Sequence, residues 1–157
     1  MAARSFFFTL IILMSFSSQG VAQRFSINDL EQIKHAPYSE ANVKLEQENW
    51  SIWNTQGDTI YYGYGLKSNK ARYWLTLIKN DRGWIDQLFY HFQRATFLYL
   101  KEAVDNSDAF PYRSVDHDDG IKSIYLQDKF KLTFWIPDNT KQLFYLHIEE
   151  VKDASEN

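Results

Sequence analysis

The sequence contains no cysteine, and this absence excludes several kinds of chemistry at once. The chain has no disulfide, no thiolate metal ligand, no thiol nucleophile and no lipid-bearing cysteine. Glycine is also scarce, and Gly63 and Gly65 lie inside a predicted strand, so no glycine-rich phosphate loop is indicated. The chain also lacks a Gly-x-Ser-x-Gly elbow and any histidine spacing suited to zinc. No cofactor or metal is therefore predicted.

Charge of one sign is not in large excess. The 17 Lys and Arg residues face 20 Asp and Glu residues, which gives a formal net charge of −3. This mild acidity argues against a nucleic-acid-binding protein that relies on a broad basic surface. At 45% hydrophobic and 17% aromatic residues, the composition is too apolar for a disordered chain, and 157 residues suit one domain.

Residues 1–22 have the three parts of a secretory signal peptide in the expected order. Arg4 supplies a basic start, residues 6–16 are mostly apolar, and Gly20 and Ala22 occupy the −3 and −1 positions of a peptidase site. The apolar run is shorter than the roughly 20 residues that span a membrane. We therefore expect cleavage near Ala22, a periplasmic or extracellular location, and no transmembrane segment in the mature form.

Capping residues and periodicity predict three helices. Ser26 can cap a first helix, and Pro37 ends it because proline disfavours helical geometry in the preceding residue. Ser39 is predicted to cap a second helix that runs to about Trp50. A third helix is predicted near residues 95–104, where apolar side chains recur at helical spacing.

Runs of aromatic and aliphatic residues with a period of two predict strands joined by hairpin-length loops. Residues 105–120 are predicted to be irregular. The predicted strands are residues 59–66, 71–79, 84–92, 122–127, 130–136 and 142–151. These elements predict one α+β domain over residues 23–152, with an antiparallel sheet of about six or seven strands. The polar tail at residues 153–157 is expected to fray.

Part of the chain aligns with itself, since residues 70–77 match residues 141–148 and residues 59–69 match residues 130–140. Two helix-plus-meander repeats are one interpretation, and chance similarity between aromatic strands is the other. With its signal and the helix start at residues 26–30, the chain resembles small exported proteins of unknown function from Bacteroidetes-type bacteria. Its helix-then-sheet order is similar to the tandem units of the beta-lactamase-inhibitor-protein fold. Neither resemblance implies a catalytic residue.

Side-chain alternation sorts the strand residues onto two faces. The face expected to contact the helices collects Tyr73, Leu75, Leu77, Phe130, Leu132, Phe134, Phe144, Leu146 and Ile148. The other face is expected to collect Ile60, Tyr62, Tyr64, Trp74, Thr76, Trp135, Tyr145 and His147. Tyr and Trp dominate interface hot spots, so the predicted binding residues are Tyr62, Tyr64, Trp74, Trp135 and Tyr145. The alternative is that helices or residues 105–120 cover these side chains and make them core.

The acidic segment at residues 116–120, Asp-His-Asp-Asp-Gly, has ligand types that suit a hard cation. Its glycine and its next acidic positions do not fit the spacing of an EF-hand loop. We interpret the segment as a solvated turn.

Three functions are compatible with these observations. The leading one is a non-enzymatic binding or accessory protein of the cell envelope, which contacts a protein partner through a broad aromatic sheet face. The second is a carrier of a glycan or lipid, with a deep aromatic-lined pocket. The third is a hydrolase, which would require His91, His117 or His147 to converge with an acid in a cleft.

Overall fold

In the computed structural model, residues 25–151 form an eight-stranded antiparallel sheet with three helices. The helices are α1 (Ile27–Lys34), α2 (Tyr38–Gln47) and α3 (Arg94–Asp105). The strands are β1 (Trp50–Gln56), β2 (Thr59–Tyr64), β3 (Tyr73–Lys79), β4 (Ile85–Phe92), β5 (Phe110–His117), β6 (Gly120–Gln127), β7 (Phe130–Pro137) and β8 (Phe144–Glu150). The predicted signal peptide at residues 1–22 and the predicted tail at residues 153–157 lie outside the described residues.

The strands are arranged as two meanders that meet at the centre of the sheet. Their order is β1-β2-β3-β4-β8-β7-β6-β5, and every neighbouring pair is antiparallel. The last strand of each meander, β4 or β8, pairs with the last strand of the other, from Gln87 opposite Glu149 to Phe92 opposite Phe144. Helices α1 and α2 precede the first meander in the chain, and α3 precedes the second.

The predicted α+β class and the predicted inner strands are confirmed, but two strands were missed. Residues 50–56 were predicted to end a helix or to follow it, and residues 110–117 were predicted to be irregular. Both segments are the edge strands of the sheet, and most of their side chains are exposed. An edge strand without a buried face does not need the alternation that marks an inner strand, so sequence periodicity gave no signal.

The start of α1 follows the sequence prediction, whereas the start of α2 does not. The Ser26 hydroxyl accepts a hydrogen bond from the Asp29 amide at 3.1 Å, and the Asp29 carboxylate accepts one from the Ser26 amide at 3.0 Å. This reciprocal pair is a capping box. The predicted cap at Ser39 is wrong, because Ser39 lies inside α2, which begins at Tyr38 immediately after Pro37. Pro37 has a φ of −57°, which is close to the helical value, so α2 can begin directly after it without a side-chain cap.

All three helices contribute to a core on one face of the sheet, which we call the covered face. Every residue predicted to contact the helices is buried there. Leu30, Ile33, Leu45, Leu100 and Val104 supply the helix side of the same core. Within residues 25–151, no helix has the length and apolarity needed to cross a membrane.

Among the described residues, the core also holds one charged residue, Lys34, at the end of α1. Its ammonium group donates a hydrogen bond to the carbonyl oxygen of Ile85 at 2.9 Å, and the residue is buried. Burial lowers the pKa of Lys34, while nearby Glu150 and Asp86 oppose this shift. The contact fixes the end of α1 to the start of β4.

We predict that Leu146→Ala lowers the free energy of unfolding by about 3 kcal/mol, because it leaves a cavity in the central strand β8. Leu146 is 0% exposed, whereas Leu98 on α3 is 54% exposed. Leu98→Ala removes the same atoms from the surface and is expected to change the free energy by about 0.5 kcal/mol or less. Urea denaturation of both variants measures the difference, and equal effects would contradict the assigned core.

Candidate functional site: an open aromatic sheet face

The second face of the sheet, which we call the open face, faces away from the three helices. One line of opposed residues crosses it: Trp74, His91, Tyr145, Trp135 and Lys122 are successive partners on β3, β4, β8, β7 and β6. We call this line the central row. Residues directly opposite each other in an antiparallel ladder share a face, so these side chains stand side by side.

A second row runs parallel to the central row, one ladder step away. It consists of Tyr61, Thr76, Phe89, His147 and Thr133, which are successive partners on β2, β3, β4, β8 and β7. The four rings nearest the middle of the face are those of Phe89 and His91 on β4 and of Tyr145 and His147 on β8, so they come from both meanders. The two halves of the chain therefore contribute to one surface.

Ring contacts connect the side chains of the central row. Tyr145 stacks on Trp135 with centroids 6.2 Å apart and planes 19° apart, and it lies 5.6 Å from the His91 ring. The ammonium group of Lys122 lies 6.0 Å from the centroid of Trp135, within cation–π range, and the His117 ring contacts the same indole. Each ring shields part of its neighbour, which leaves these side chains half-buried rather than fully exposed.

Trp53 joins this surface because of a β-bulge. The register between β1 and β2 shifts between Ile52 and Asn54, so the residue between them has no direct partner. The Trp53 ring lies 5.3 Å from that of Trp74 and 6.3 Å from that of Tyr61. It is 46% exposed, more than any ring of the central row, which are all of intermediate burial.

His147 is a closely packed polar group of the open face. Its ring stacks on Phe89 with centroids 4.2 Å apart and planes 2° apart, and its Nε2 atom is buried without a hydrogen-bond partner in the described residues. Burial lowers the pKa of His147; Glu149 opposes this shift, and Lys131, Lys122 and Lys34 reinforce it. Burial also lowers the pKa of His91. Burial therefore favours the neutral form of both imidazoles.

We predict that acidification destabilises the protein through these histidines. An unfolded histidine has a pKa of about 6.5. Since burial lowers the pKa of His147 in the folded chain, the unfolded chain binds more protons below that pH. The free energy of unfolding should fall between about pH 7.5 and 5.5, and His147→Gln should make this slope shallower.

Denaturation across that pH range measures the slope, which is compared separately from the absolute stability of each variant. His117→Gln is the matched control, because His117 is exposed on an edge strand. The control should keep the slope of the parent chain. An unchanged slope in His147→Gln would mean that its titration is not coupled to folding.

Three of the five predicted binding residues lie on the open face, namely Trp74, Trp135 and Tyr145. The placement of Tyr62 and Tyr64 on that face is wrong. Tyr62 is 0% exposed on the covered face, where its hydroxyl donates a hydrogen bond to the Asn42 side chain at 2.6 Å. Burial raises the pKa of the Tyr62 phenol.

The register between β2 and β3 explains this correction. Tyr62 is opposite Leu75 and Tyr64 is opposite Tyr73, so both share the covered face with those core residues. Ile60, opposite Leu77, is likewise buried on the covered face and not on the other one. The alternation within β2 is compatible with either set of alternate side chains facing the helices. Only the pairing with β3 determines which set does so.

Sequence reasoning missed Trp53, Tyr61 and Phe89 as members of the open face. Tyr61 was missed because the alternate side chains of β2 were assigned to the wrong faces. Trp53 was missed because β1 was not predicted. For Phe89, the available signal was its alternation with Leu88 and Tyr90, both of which are buried. That alternation places Phe89 on the face away from the helices.

Of the acidic segment predicted to be a turn, Asp118 and Asp119 form the turn between β5 and β6, whereas Asp116 and His117 end β5 and Gly120 begins β6. Within residues 25–151, no group of three or more His, Cys, Asp or Glu side chains is placed to hold a metal ion. His91, His117 and His147 instead pack against Tyr145, Trp135 and Phe89.

A cleft of about 410 Å³ lies at the β1–β4 end of the open face. Its lining residues are Trp53, Tyr61, Asn69, Trp74, Leu75, Thr76, His91 and Leu143. The remainder of the central row, from Tyr145 to Lys122, continues away from the cleft across the second meander. The open face thus combines a broad aromatic surface with one concave end.

Fold and surface together define a two-layer α+β protein with one helix-covered and one open sheet face. Comparison with protein-family models found no match, and comparison with curated proteins also found none. Among solved structures, the chain is similar to a DUF4309 family protein (YjgB) from Bacillus subtilis subsp. subtilis str. 168. The TM-score is 0.41 at 12% identity, over 62% of this chain and 68% of that one. A similarity of this size carries no argument about function.

Proposed function

We propose that this chain is an exported, non-enzymatic binding or accessory protein of the cell envelope, and that its open face contacts a protein partner. The observation that carries the proposal is the central row, in which Trp74, His91, Tyr145 and Trp135 stand side by side on four strands. Tyr and Trp offer a large, stiff contact area with a polar end, and they are enriched in interface hot spots.

The dimensions of the open face favour a protein as the partner. The central row crosses five strands, which corresponds to about 19 Å at the usual strand spacing. A surface of this breadth suits the central part of a standard protein interface. Charged groups lie on the same face next to the rings, including Lys122 and the ion pair between Lys131 and Glu149. Aromatic residues with charged residues beside them are typical of an interface core and its rim.

Export is part of the same proposal and is supported by the sequence of residues 1–22. The absence of cysteine agrees with a domain that depends on its apolar core rather than on disulfides. In the periplasm or outside the cell, such a domain would meet envelope proteins rather than cytosolic ones.

We also infer that the two halves are related helix-plus-meander units, as in the beta-lactamase-inhibitor-protein fold that the sequence resembles. The chain order supports this, since a helix precedes each meander of four strands. The sequence alignment proposed above matches β2 with β7 and β3 with β8. Counted from the preceding helix, however, β3 corresponds to β7 and β4 to β8. A duplication would therefore need a different alignment.

A small-ligand carrier for a glycan or lipid is the second candidate function. The specific observation in its favour is the cleft of about 410 Å³ beside Trp53 and Trp74, a volume within the usual range for small-molecule sites. The cleft occupies one end of the open face and leaves Trp135 outside it. The two candidate functions therefore share Trp74, whereas Trp53 belongs to the cleft and Trp135 only to the broad face.

We predict that replacing Trp74 and Trp135 by Ala abolishes capture of the partner in a pull-down from envelope extract with the mature chain. Loss of two hot-spot side chains typically weakens binding by about 30-fold or more each. Trp84→Ala is the matched control, because Trp84 is 45% exposed but lies beside Pro37 at the helix layer. Circular dichroism checks that every variant stays folded.

A protein that is captured by the parent chain and by Trp84→Ala, but not by the double variant, supports the proposal. Capture that is equally strong with the folded double variant contradicts the assignment of the open face.

A further inference from the structure

The cleft at the β1–β4 end of the open face has three aromatic walls. The indole of Trp53 is nearly perpendicular to its neighbours, at 71° to Trp74 and 85° to Tyr61. The rings therefore form a corner rather than a flat stack. A corner of this kind leaves ring faces available to a ligand that has flat surfaces of its own.

Two local features of the backbone build this corner. The bulge in β1 directs Trp53 toward Trp74, as described above. On β2, Gly63 lets the loop at residues 65–72 pack directly on the strand: a Cβ atom added there would lie 2.9 Å from the Ala71 Cβ atom. The same added atom would lie 3.1 Å from a methyl group of Leu66. Any side chain at Gly63 would therefore displace the loop that borders the cleft.

The loop at residues 65–72 places a polar residue, Asn69, at the cleft through a tight turn. Ser68 and Asn69 are consecutive non-glycine residues in the left-handed region, with φ of 48° and 61°. Lys67 and Lys70 close the turn around them through two backbone hydrogen bonds of 2.9 Å. This geometry positions Asn69 in the lining of the cleft. A tight two-residue turn of this kind requires positive φ at both central residues, so the turn itself holds Asn69 in place.

The lining contains no permanently charged side chain. Its polar groups are the Asn69 amide, the hydroxyl groups of Tyr61 and Thr76, the indole N–H groups of the two tryptophans, and the imidazole of His91, whose pKa burial lowers. An anionic or cationic ligand would find no counter-charge there. A lipid chain would leave the amide and the hydroxyl groups without partners, which is unfavourable. The lining instead suits a neutral ligand with apolar faces and hydrogen-bonding edges.

We infer that this cleft binds a pyranose ring of a neutral glycan. The C–H bonds on the flat side of a pyranose are weakly positive and pack against the negative faces of the Trp53 and Trp74 rings. Its hydroxyl groups lie at the edge of the sugar ring, where they can exchange hydrogen bonds with Asn69, Thr76 and His91. The inference rests on the small-ligand candidate function and does not require a protein partner.

The test is a titration of the mature chain with neutral oligosaccharides, followed by tryptophan fluorescence and calorimetry. The probes are the tetramers of β-1,4-glucose, α-1,4-glucose and β-1,4-N-acetylglucosamine. We expect saturable binding of at least one tetramer, with a Kd raised at least tenfold by Trp53→Ala. Because Trp53 is 46% exposed on an edge strand, this variant should stay folded.

Two further variants separate the cleft from the rest of the open face. Asn69→Gly keeps the left-handed turn and removes the amide, so it should raise the Kd severalfold without unfolding the loop. Trp135→Ala should leave the Kd within twofold, although it should impair capture of a protein partner. Failure of the glycan inference is thus distinguishable from failure of the protein-binding proposal.

Two results would overturn the inference. One is that no tetramer binds to the folded chain at millimolar concentration. The other is that a tetramer binds equally well to Trp53→Ala and Asn69→Gly. Binding of a medium-chain fatty acid or of an aromatic peptide in the cleft, with no binding of any tetramer, would assign the site to a lipid or to a protein side chain and would also reject the glycan.

Discussion

The pairing of β4 with β8 is the interaction on which the rest of the structure depends. It joins the two meanders into one sheet, and it sets which side chains of each half stand together. On the covered face it places Tyr90 opposite Leu146, in the middle of the core. On the open face it places His91 opposite Tyr145. A slip of one residue would bring core residues to solvent on one strand, so burial of the covered face fixes the alignment of the open one.

The two faces of the sheet differ in how their apolar side chains are shielded from water. The covered face buries aliphatic and aromatic side chains under three helices, which stabilises a domain that has no disulfide. None of the three helices within residues 25–151 lies over the open face, and its rings shield one another by stacking in pairs such as Phe89 with His147 and Trp135 with Tyr145. Stacking reduces the exposed apolar area but leaves a surface that a partner or ligand can still cover.

The inner strands and the α+β class could be predicted from the sequence because burial imposes a pattern on single segments. Leu75, Leu77, Leu146 and Ile148 alternate with more polar or aromatic neighbours, and all four are buried as expected. The edge strands β1 and β5 were not predictable in this way, since neither has a face that burial must keep apolar.

The candidate site was harder to predict than the fold because it depends on pairing between strands. The central row brings Trp74 on β3 and Trp135 on β7 onto one face only through the register of the intervening strands β4 and β8. Tyr62 is a second example of this dependence on pairing, because the residue pattern of its own strand is compatible with either face. Trp53 needed both an unpredicted strand and a bulge to reach the open face.

The most direct test of this account is the register between β4 and β8, and the lack of cysteine makes it a clean experiment. In the double variant His91→Cys with Tyr145→Cys, the introduced thiols are the only ones, and directly opposed antiparallel residues lie within disulfide range. We predict an intramolecular disulfide on oxidation of the folded chain, detected by mass spectrometry. The offset pair His91→Cys with Leu146→Cys should not form one, because its side chains point to opposite faces. Efficient cross-linking of the offset pair, without cross-linking of the opposed pair, would contradict the alignment of the two halves and with it the continuous aromatic row.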